Sequence, residues 1–161
     1  MSAELVVRHP LVFDALAMHR LIHQSPGLDA NSTYLYALLC RDFARSCAVA
    51  TEGDTLVGVL TGYTRPSSPS TYFAWQTAIA PEATQADIAV RMYDLVLADA
   101  IDGTIEAIEM SIDTSNRAIK LLLSRLAKRY DATRSSETLF STEDLGGGHY
   151  PEILHVLNLR R

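Results

Sequence analysis

Asp29, His149 and Glu152 are three of the chain's 19 acidic residues and 5 histidines. By type alone each could do acid–base or ionic chemistry without standing apart from the others. Asp29 follows a Pro26-Gly27 turn, His149 follows Gly146-Gly147-Gly148, and Glu152 opens an apolar run. A carboxylate can hold an ammonium group or take its proton, and an imidazole can relay a proton near neutral pH. Each residue also has a plainer reading. Asp29 and Asn31 could simply cap a helix, His149 could be a surface-loop histidine, and Glu152 a solvated strand opener. Trp75 taken alone reads as core. The three glycines indicate a turn, since no strand runs from them into a helix as a phosphate-binding loop requires.

Metal and thiol chemistry find less support. His19 and His23 have H-x-x-x-H spacing on an expected helix, but the metalloprotease glutamate and a third ligand are missing. His155 lies inside an apolar strand, where a histidine is more often structural than a ligand. Cys40 and Cys47 form neither a metal pattern nor a disulfide framework, and read as two reduced core thiols. No metal is expected, and no serine–histidine–acid or C-x-x-C arrangement stands out.

The elements that must position such residues follow from periodicity. Glu4–Arg8 is β-rich and stops before Pro10. From Val12, apolar residues at Ala15, Leu16 and Ile22 mark a helix that ends near Pro26-Gly27. A second helix starts near Thr33, capped by Asn31 or Ser32, with Leu35, Leu38, Leu39 and Phe43 expected on its inner face. Strands are expected at Cys47–Ala50, Leu56–Tyr63 and Tyr72–Ala80. Glu52-Gly53-Asp54 forms the first turn between them, and a Pro/Ser-rich connection at Arg65–Ser70 the second.

Beyond Pro81 the period becomes helical, with Ile88, Met92, Leu95 and Val96 on one face. Ile105–Ile112 reads as a strand, and Asp113-Thr114-Ser115-Asn116 as a helix start. The helix that follows carries Ile119, Leu122, Leu123 and Leu126 inward, and Lys128 and Arg129 complement its dipole. Strands near Thr133–Phe140 and Ile153–Leu159 complete the order βααβββαβαββ. A mixed α/β sheet covered by helices follows from that order.

Composition limits the rest. The chain of 161 residues is a one-domain length, long enough to bury a core. With 48% hydrophobic and 20% charged residues it reads as an ordinary globular protein. Its net charge of −5 gives no basic footprint for nucleic acid. No apolar run approaches a membrane span, and Met1–Pro10 carries no signal-peptide core, so a cytoplasmic protein without membrane partner is expected.

Four segments sharpen this outline. Leu28-Asp29-Ala30-Asn31-Ser32-Thr33-Tyr34 resembles the L-D-x-N-S-x-Y stretch of the diaminobutyrate acetyltransferases of ectoine biosynthesis, and Leu38-Leu39-Cys40 continues it. Phe73-Ala74-Trp75-Gln76 resembles the F-x-W-Q strand of that family. Glu109–Asn116 resembles its fifth strand and the cap that follows. Gly147-Gly148-His149-Tyr150-Pro151-Glu152 resembles its G-G-x-H-x-x-E ending.

The resemblance implies a single GNAT N-acetyltransferase domain over residues 1–161. Its fold would be the α/β (α+β) acyl-CoA N-acyltransferase fold, a mixed, mostly antiparallel sheet flanked by about four helices. It implies acetyl-CoA as cosubstrate, a small diamine amino acid as acceptor, and a homodimer. Asp29, Asn31, Tyr34, Trp75, Thr77, His149 and Glu152 would bind substrate, with Glu152, His149 and Asp29 as catalytic candidates. The base could be either carboxylate acting through water. Backbone N–H groups about Thr77–Ile79 would polarise the thioester carbonyl.

The cofactor side departs from the family pattern. Ala78, Ile79, Thr84, Gln85, Ala86, Asp87, Ile88, Ala89 and Asn116 would contact acetyl-CoA, but the usual Q/R-x-x-G-x-G/A loop reads here as Thr84-Gln85-Ala86-Asp87-Ile88-Ala89. Threonine replaces the arginine, and Asp87 stands at the first glycine position. A carboxylate there either opposes a polyanion or sits in the helix's first turn, pointing away. Two other functions stay open on the residues alone: acetylation of another small amine, or amine binding without turnover.

Overall fold

The computed structural model describes residues 3–83, 87–100, 103–113 and 117–160. Its elements run β1 (Leu5–Arg8), α1 (Ala15–Gln24), α2 (Thr33–Asp42), β2 (Ala48–Glu52), β3 (Thr55–Arg65), β4 (Ser68–Ile79), α3 (Ile88–Ala98), β5 (Ala107–Asp113), α4 (Arg117–Arg129), β6 (Thr133–Phe140) and β7 (Glu152–Asn158). The seven strands form one sheet in the order β1-β2-β3-β4-β5-β7-β6. β4 and β5 pair parallel, whereas every other neighbouring pair is antiparallel.

The parallel pair follows from the connection between its strands. β4 and β5 are joined through α3, and a crossover helix returns the chain to the same end of the sheet. α3 lies across β1 to β4, and Gly58 on β3 makes its close approach possible. A Cβ at Gly58 would stand 3.1 Å from Ile88 and 3.3 Å from Met92. Ile88, Met92, Tyr93 and Val96 form the buried face of α3, while Leu123 and Leu126 are buried on α4.

Two expectations about elements are corrected. The deeply buried residues of α2 are Tyr36 and Cys40, whereas Leu35, Leu38 and Leu39 are half-buried and Phe43 is exposed. Tyr36 can go deep because its hydroxyl finds a buried partner. The connection expected over Arg65–Ser70 is shorter, because β3 runs to Arg65. β4 already begins at Ser68, so β3 and β4 form a tight hairpin.

Acid–base contacts fix the entry to α1. Asp14 accepts from both terminal nitrogens of Arg8, at 2.8 and 2.9 Å, and from the Leu11 N–H at 2.7 Å. Burial alone would push the Asp14 carboxyl up, but these donors outweigh it and hold it below the ordinary carboxylate value. Cys40 and Cys47 are free and buried. Burial pushes their thiols up, to about 11 and about 12. No helix among the described residues is long and apolar enough to cross a membrane.

Candidate active site

A bulge in β4 creates the site. β3 and β4 pair Thr61 with Gln76 and Gly62 with Ala74, so Trp75 is an extra residue on β4. Such an insertion bends the strand and re-aims its side chains. The Gln76 N–H consequently donates to the Thr61 hydroxyl at 3.2 Å. The Gln76 side chain is buried and used at both ends. Its Oε1 accepts from the Tyr36 hydroxyl at 2.8 Å, and its Nε2 donates to the Asp29 carbonyl at 3.0 Å. Burial pushes the Tyr36 phenol up, while bonds with Asn31 and Gln76 hold it back. The segment carrying Asp29 is thereby tied to β4 beside Trp75.

Asp29, Trp75, Gln76, His149 and Glu152 line one cavity of about 400 Å³. They come from the α1–α2 connection, β4, the loop after β6, and the start of β7. Tyr63 and Phe73 add an aromatic wall, with ring centroids 5.4 Å apart, and Phe140 also lines the cavity. Gly146, Gly147 and Gly148 hold φ values of 84°, 78° and 69°. Three successive left-handed residues favour glycine strongly, and that turn delivers His149 to the cavity. The His149 Nδ1 faces the Tyr150 carbonyl, which can only accept. That contact suits the tautomer with its proton on Nδ1, which leaves the Nε2 lone pair to accept.

Next to this cavity the sheet opens. β4 and β5 pair only from Thr71–Ala107 to Ala74–Met110, yet β4 continues to Ile79 along β3. The Ala80 N–H donates to the Val57 carbonyl on the β3 side, at 2.8 Å. Alternation along the strand points the N–H groups of Thr77 and Ile79 the other way, into the gap. Two further cavities run along that gap. Thr77, Ala78, Ile79, Ala118 and Ile119 line one, and Thr77, Ile79, Ala89, Ala118 and Ile119 the other. The Thr77 hydroxyl is 3.0 Å from that of Tyr93, whose phenol burial pushes up. A narrow slot with backbone donors along one wall suits the extended thioester arm of acetyl-CoA.

The remaining sequence candidates fall in several places. Ile88 is core, so only its backbone can face a ligand. Asp87 is the N-cap of α3 in the left-handed conformation, at φ 60°, and makes no side-chain cap bond. Its side chain is exposed and lines a groove between α3 and α4. Thr84, Gln85, Ala86 and Asn116 lie outside the described residues. Tyr34 on α2 is 72% exposed and does not line the cavity. Asn31 turns to Tyr36, and the cap of α2 is Ser32, which accepts from the Leu35 N–H at 3.3 Å. Sequence reasoning missed Gln76, Tyr63, Phe73 and Phe140 as site residues. Alternation along β4 places Phe73 with Trp75, and that was the available signal.

Residues 14–126 match the acetyltransferase (GNAT) family. The L-2,4-diaminobutyric acid acetyltransferase of Halomonas elongata is 38% identical over 154 residues, spanning 95% of this chain and 80% of its own. That of Streptomyces coelicolor is 38% identical over 158 residues, spanning 96% and 92%. The diaminobutyrate acetyltransferase EctA of Paenibacillus lautus, solved with L-2,4-diaminobutyric acid and coenzyme A, superposes with a TM-score of 0.89. It is 28% identical, with 98% of this chain and 96% of that chain covered. Ard1 of Thermoplasma volcanium shares the fold alone, at TM-score 0.71 and 15% identity over 97% and 99% of the two chains. A β4 that parts from β5 beside a carboxylate-lined cavity, a family match and this kinship agree: the chain belongs to the acetyltransferase (GNAT) family, and its relatives within that family are diaminobutyrate acetyltransferases.

Proposed function

We propose that this protein, a single domain over residues 1–161, transfers the acetyl group of acetyl-CoA to L-2,4-diaminobutyrate. The product is N4-acetyl-L-2,4-diaminobutyrate, an intermediate in ectoine biosynthesis. The observation that carries this reading is the convergence of Asp29, Trp75, His149 and Glu152 on one cavity that adjoins the β4–β5 gap. The similarity to diaminobutyrate acetyltransferases supports the substrate.

The acceptor has two amino groups and one carboxylate. Asp29 and Glu152 are counter-ions for its ammonium groups, and Trp75 and Phe73 pack against its carbon chain. An alkyl ammonium titrates near ~10, so the attacking amine must first lose a proton. Glu152 is the less exposed of the two carboxylates and takes that proton through water, while the Nε2 of His149 accepts a hydrogen bond from the acceptor. The freed amine attacks the thioester carbonyl carbon. A C–N bond forms, the C–S bond breaks, the nitrogen gives up its second proton, and the departing thiolate takes up one proton to become the CoA thiol. Acetyl-CoA supplies the acyl carbon and a thiolate leaving group. The N–H groups of Thr77 and Ile79 stabilise the developing oxyanion, commonly a large catalytic contribution.

The protein works in the cytoplasm as a homodimer in this reading. Leu11, Val12, Phe13 and Leu16 form an exposed apolar group at the entry to α1, which supports a second copy docking on the chain. The test of the substrate class is thiol release from acetyl-CoA with an amine panel. Diaminobutyrate should be turned over, and diamines lacking a carboxylate should fall well behind. Equal rates for putrescine would remove the amino acid from the reading.

A further inference from the structure

Three cavities share walls beside the opened edge of β4. The acceptor cavity holds Asp29, Trp75, His149 and Glu152, and two smaller ones of about 300 and 250 Å³ follow the β4–β5 gap. Among the described residues, only Leu28 and Ile119 line the acceptor cavity and a gap cavity alike. Leu28 comes from the α1–α2 connection and lines the acceptor cavity and the larger gap cavity. Ile119 comes from the first turn of α4 and lines all three. Both are half-buried and pack against the core.

Neither side chain yields easily. The residue after Leu28 is held by the bond from the Gln76 Nε2 to the Asp29 carbonyl, at 3.0 Å. Ile119 is β-branched and lies on a helix, which leaves it one strongly preferred χ1 rotamer. The attacking amine reaches the thioester from the acceptor cavity, and the donor's arm arrives along the gap past Thr77 and Ile79. The acyl carbon between them therefore stands at the boundary, with its alkyl group against these two side chains. A methyl group presents one carbon there, and each further methylene must displace a wall that is held in place. We propose that Leu28 and Ile119 set the length of the acyl group transferred, so that acetyl is accepted and propionyl and longer groups are turned away. This rests on an acyl-CoA thioester being the donor. Apolar walls of this kind separate substrates that differ by one methylene by about tenfold or more.

The experiment measures kcat/KM for acetyl-CoA and for propionyl-CoA with L-2,4-diaminobutyrate as acceptor, by release of the CoA thiol. The unaltered protein is compared with Leu28→Ala, Ile119→Ala and Leu145→Ala, the last lining the acceptor cavity but neither gap cavity. Both donors are assayed on the same sample, so the ratio of the two constants does not depend on the fraction of protein folded. The unaltered protein should favour acetyl-CoA by about tenfold or more. Leu28→Ala and Ile119→Ala should each raise the propionyl-to-acetyl ratio about tenfold, and a gain in one alone assigns the limit to that side chain. Leu145→Ala should leave the ratio where it was. Equal use of both donors by the unaltered protein overturns the proposal. So does a ratio that neither Leu28→Ala nor Ile119→Ala changes, or one that Leu145→Ala raises as much. An unaltered protein that takes no acyl group from either donor is a different failure, that of the donor reading, and removes the proposal with it.

Discussion

The Tyr36 hydroxyl donates to the Gln76 Oε1 at 2.8 Å in the interior, and this bond decides which way the amide faces. With Oε1 fixed, Nε2 must point to the Asp29 carbonyl, 3.0 Å away. Tyr36→Phe leaves Oε1 buried without a donor, at a cost of about 1–3 kcal/mol. Denaturant unfolding should show that loss. Gln76→Leu removes the tie to Asp29 as well, so the KM for the amine should rise several-fold while the KM for acetyl-CoA stays near its starting value. A parallel rise in both constants would mean that the fold is weakened and the tie positions nothing.

Asp29 and Glu152 should separate in kinetics. Asp29→Asn removes a counter-ion from the exposed side of the cavity and should chiefly raise the KM for the amine, by about tenfold. Glu152→Gln removes the proposed proton acceptor and should lower kcat by about 10²-fold or more. Steady-state kinetics on both variants checks this division, and a reversed pattern would exchange the two roles.

Asp87 occupies a backbone conformation that favours glycine, with φ at 60°. Asp87→Gly relieves a strain of about 1 kcal/mol and removes a carboxylate from the groove between α3 and α4, which Arg91, Arg125, Lys128 and Arg129 also line. The KM for acetyl-CoA should fall and the melting temperature should hold or rise. A higher KM would show that the Asp87 side chain assists the donor.

Stability should fall in acid through Asp14. Its carboxyl is held below its ordinary value in the folded state, so the stability it contributes is fully present above the unfolded value. That contribution disappears as the pH falls through the folded value. Arg8→Met leaves the buried carboxylate without its cation and should cost about 1–3 kcal/mol at neutral pH. Urea unfolding at pH 7 and pH 3 measures both effects, and the difference between variant and unaltered protein should shrink at the lower pH.

How much of this was legible depended on whether the signal was local. The inward leucines of α4 and the bounds of β6 follow from periodicity and turn residues alone, and the structure places both as expected. The inner face of α2 did not. Leucine spacing pointed to Leu35, Leu38 and Leu39, but Tyr36 goes deeper because Gln76, forty residues on, accepts its hydroxyl. The start of β4 was hidden by Pro69, which lies before the first residue that pairs with β5, Thr71, and so removes no bond from that ladder. The bulge at Trp75 leaves no trace in composition, yet it turns Gln76 inward and lets β4 carry both the aromatic wall and the opened edge. Asp29, His149 and Glu152 were readable as candidates through resemblance, whereas their meeting in one cavity is a fact of topology.

The most direct test is incubation of the purified protein with acetyl-CoA and L-2,4-diaminobutyrate, followed by tandem mass spectrometry of the product. The account predicts one equivalent of free CoA thiol for each molecule of N4-acetyl-L-2,4-diaminobutyrate formed. Folded protein that releases no thiol with this acceptor, or that acetylates the amine next to the carboxylate, would contradict it.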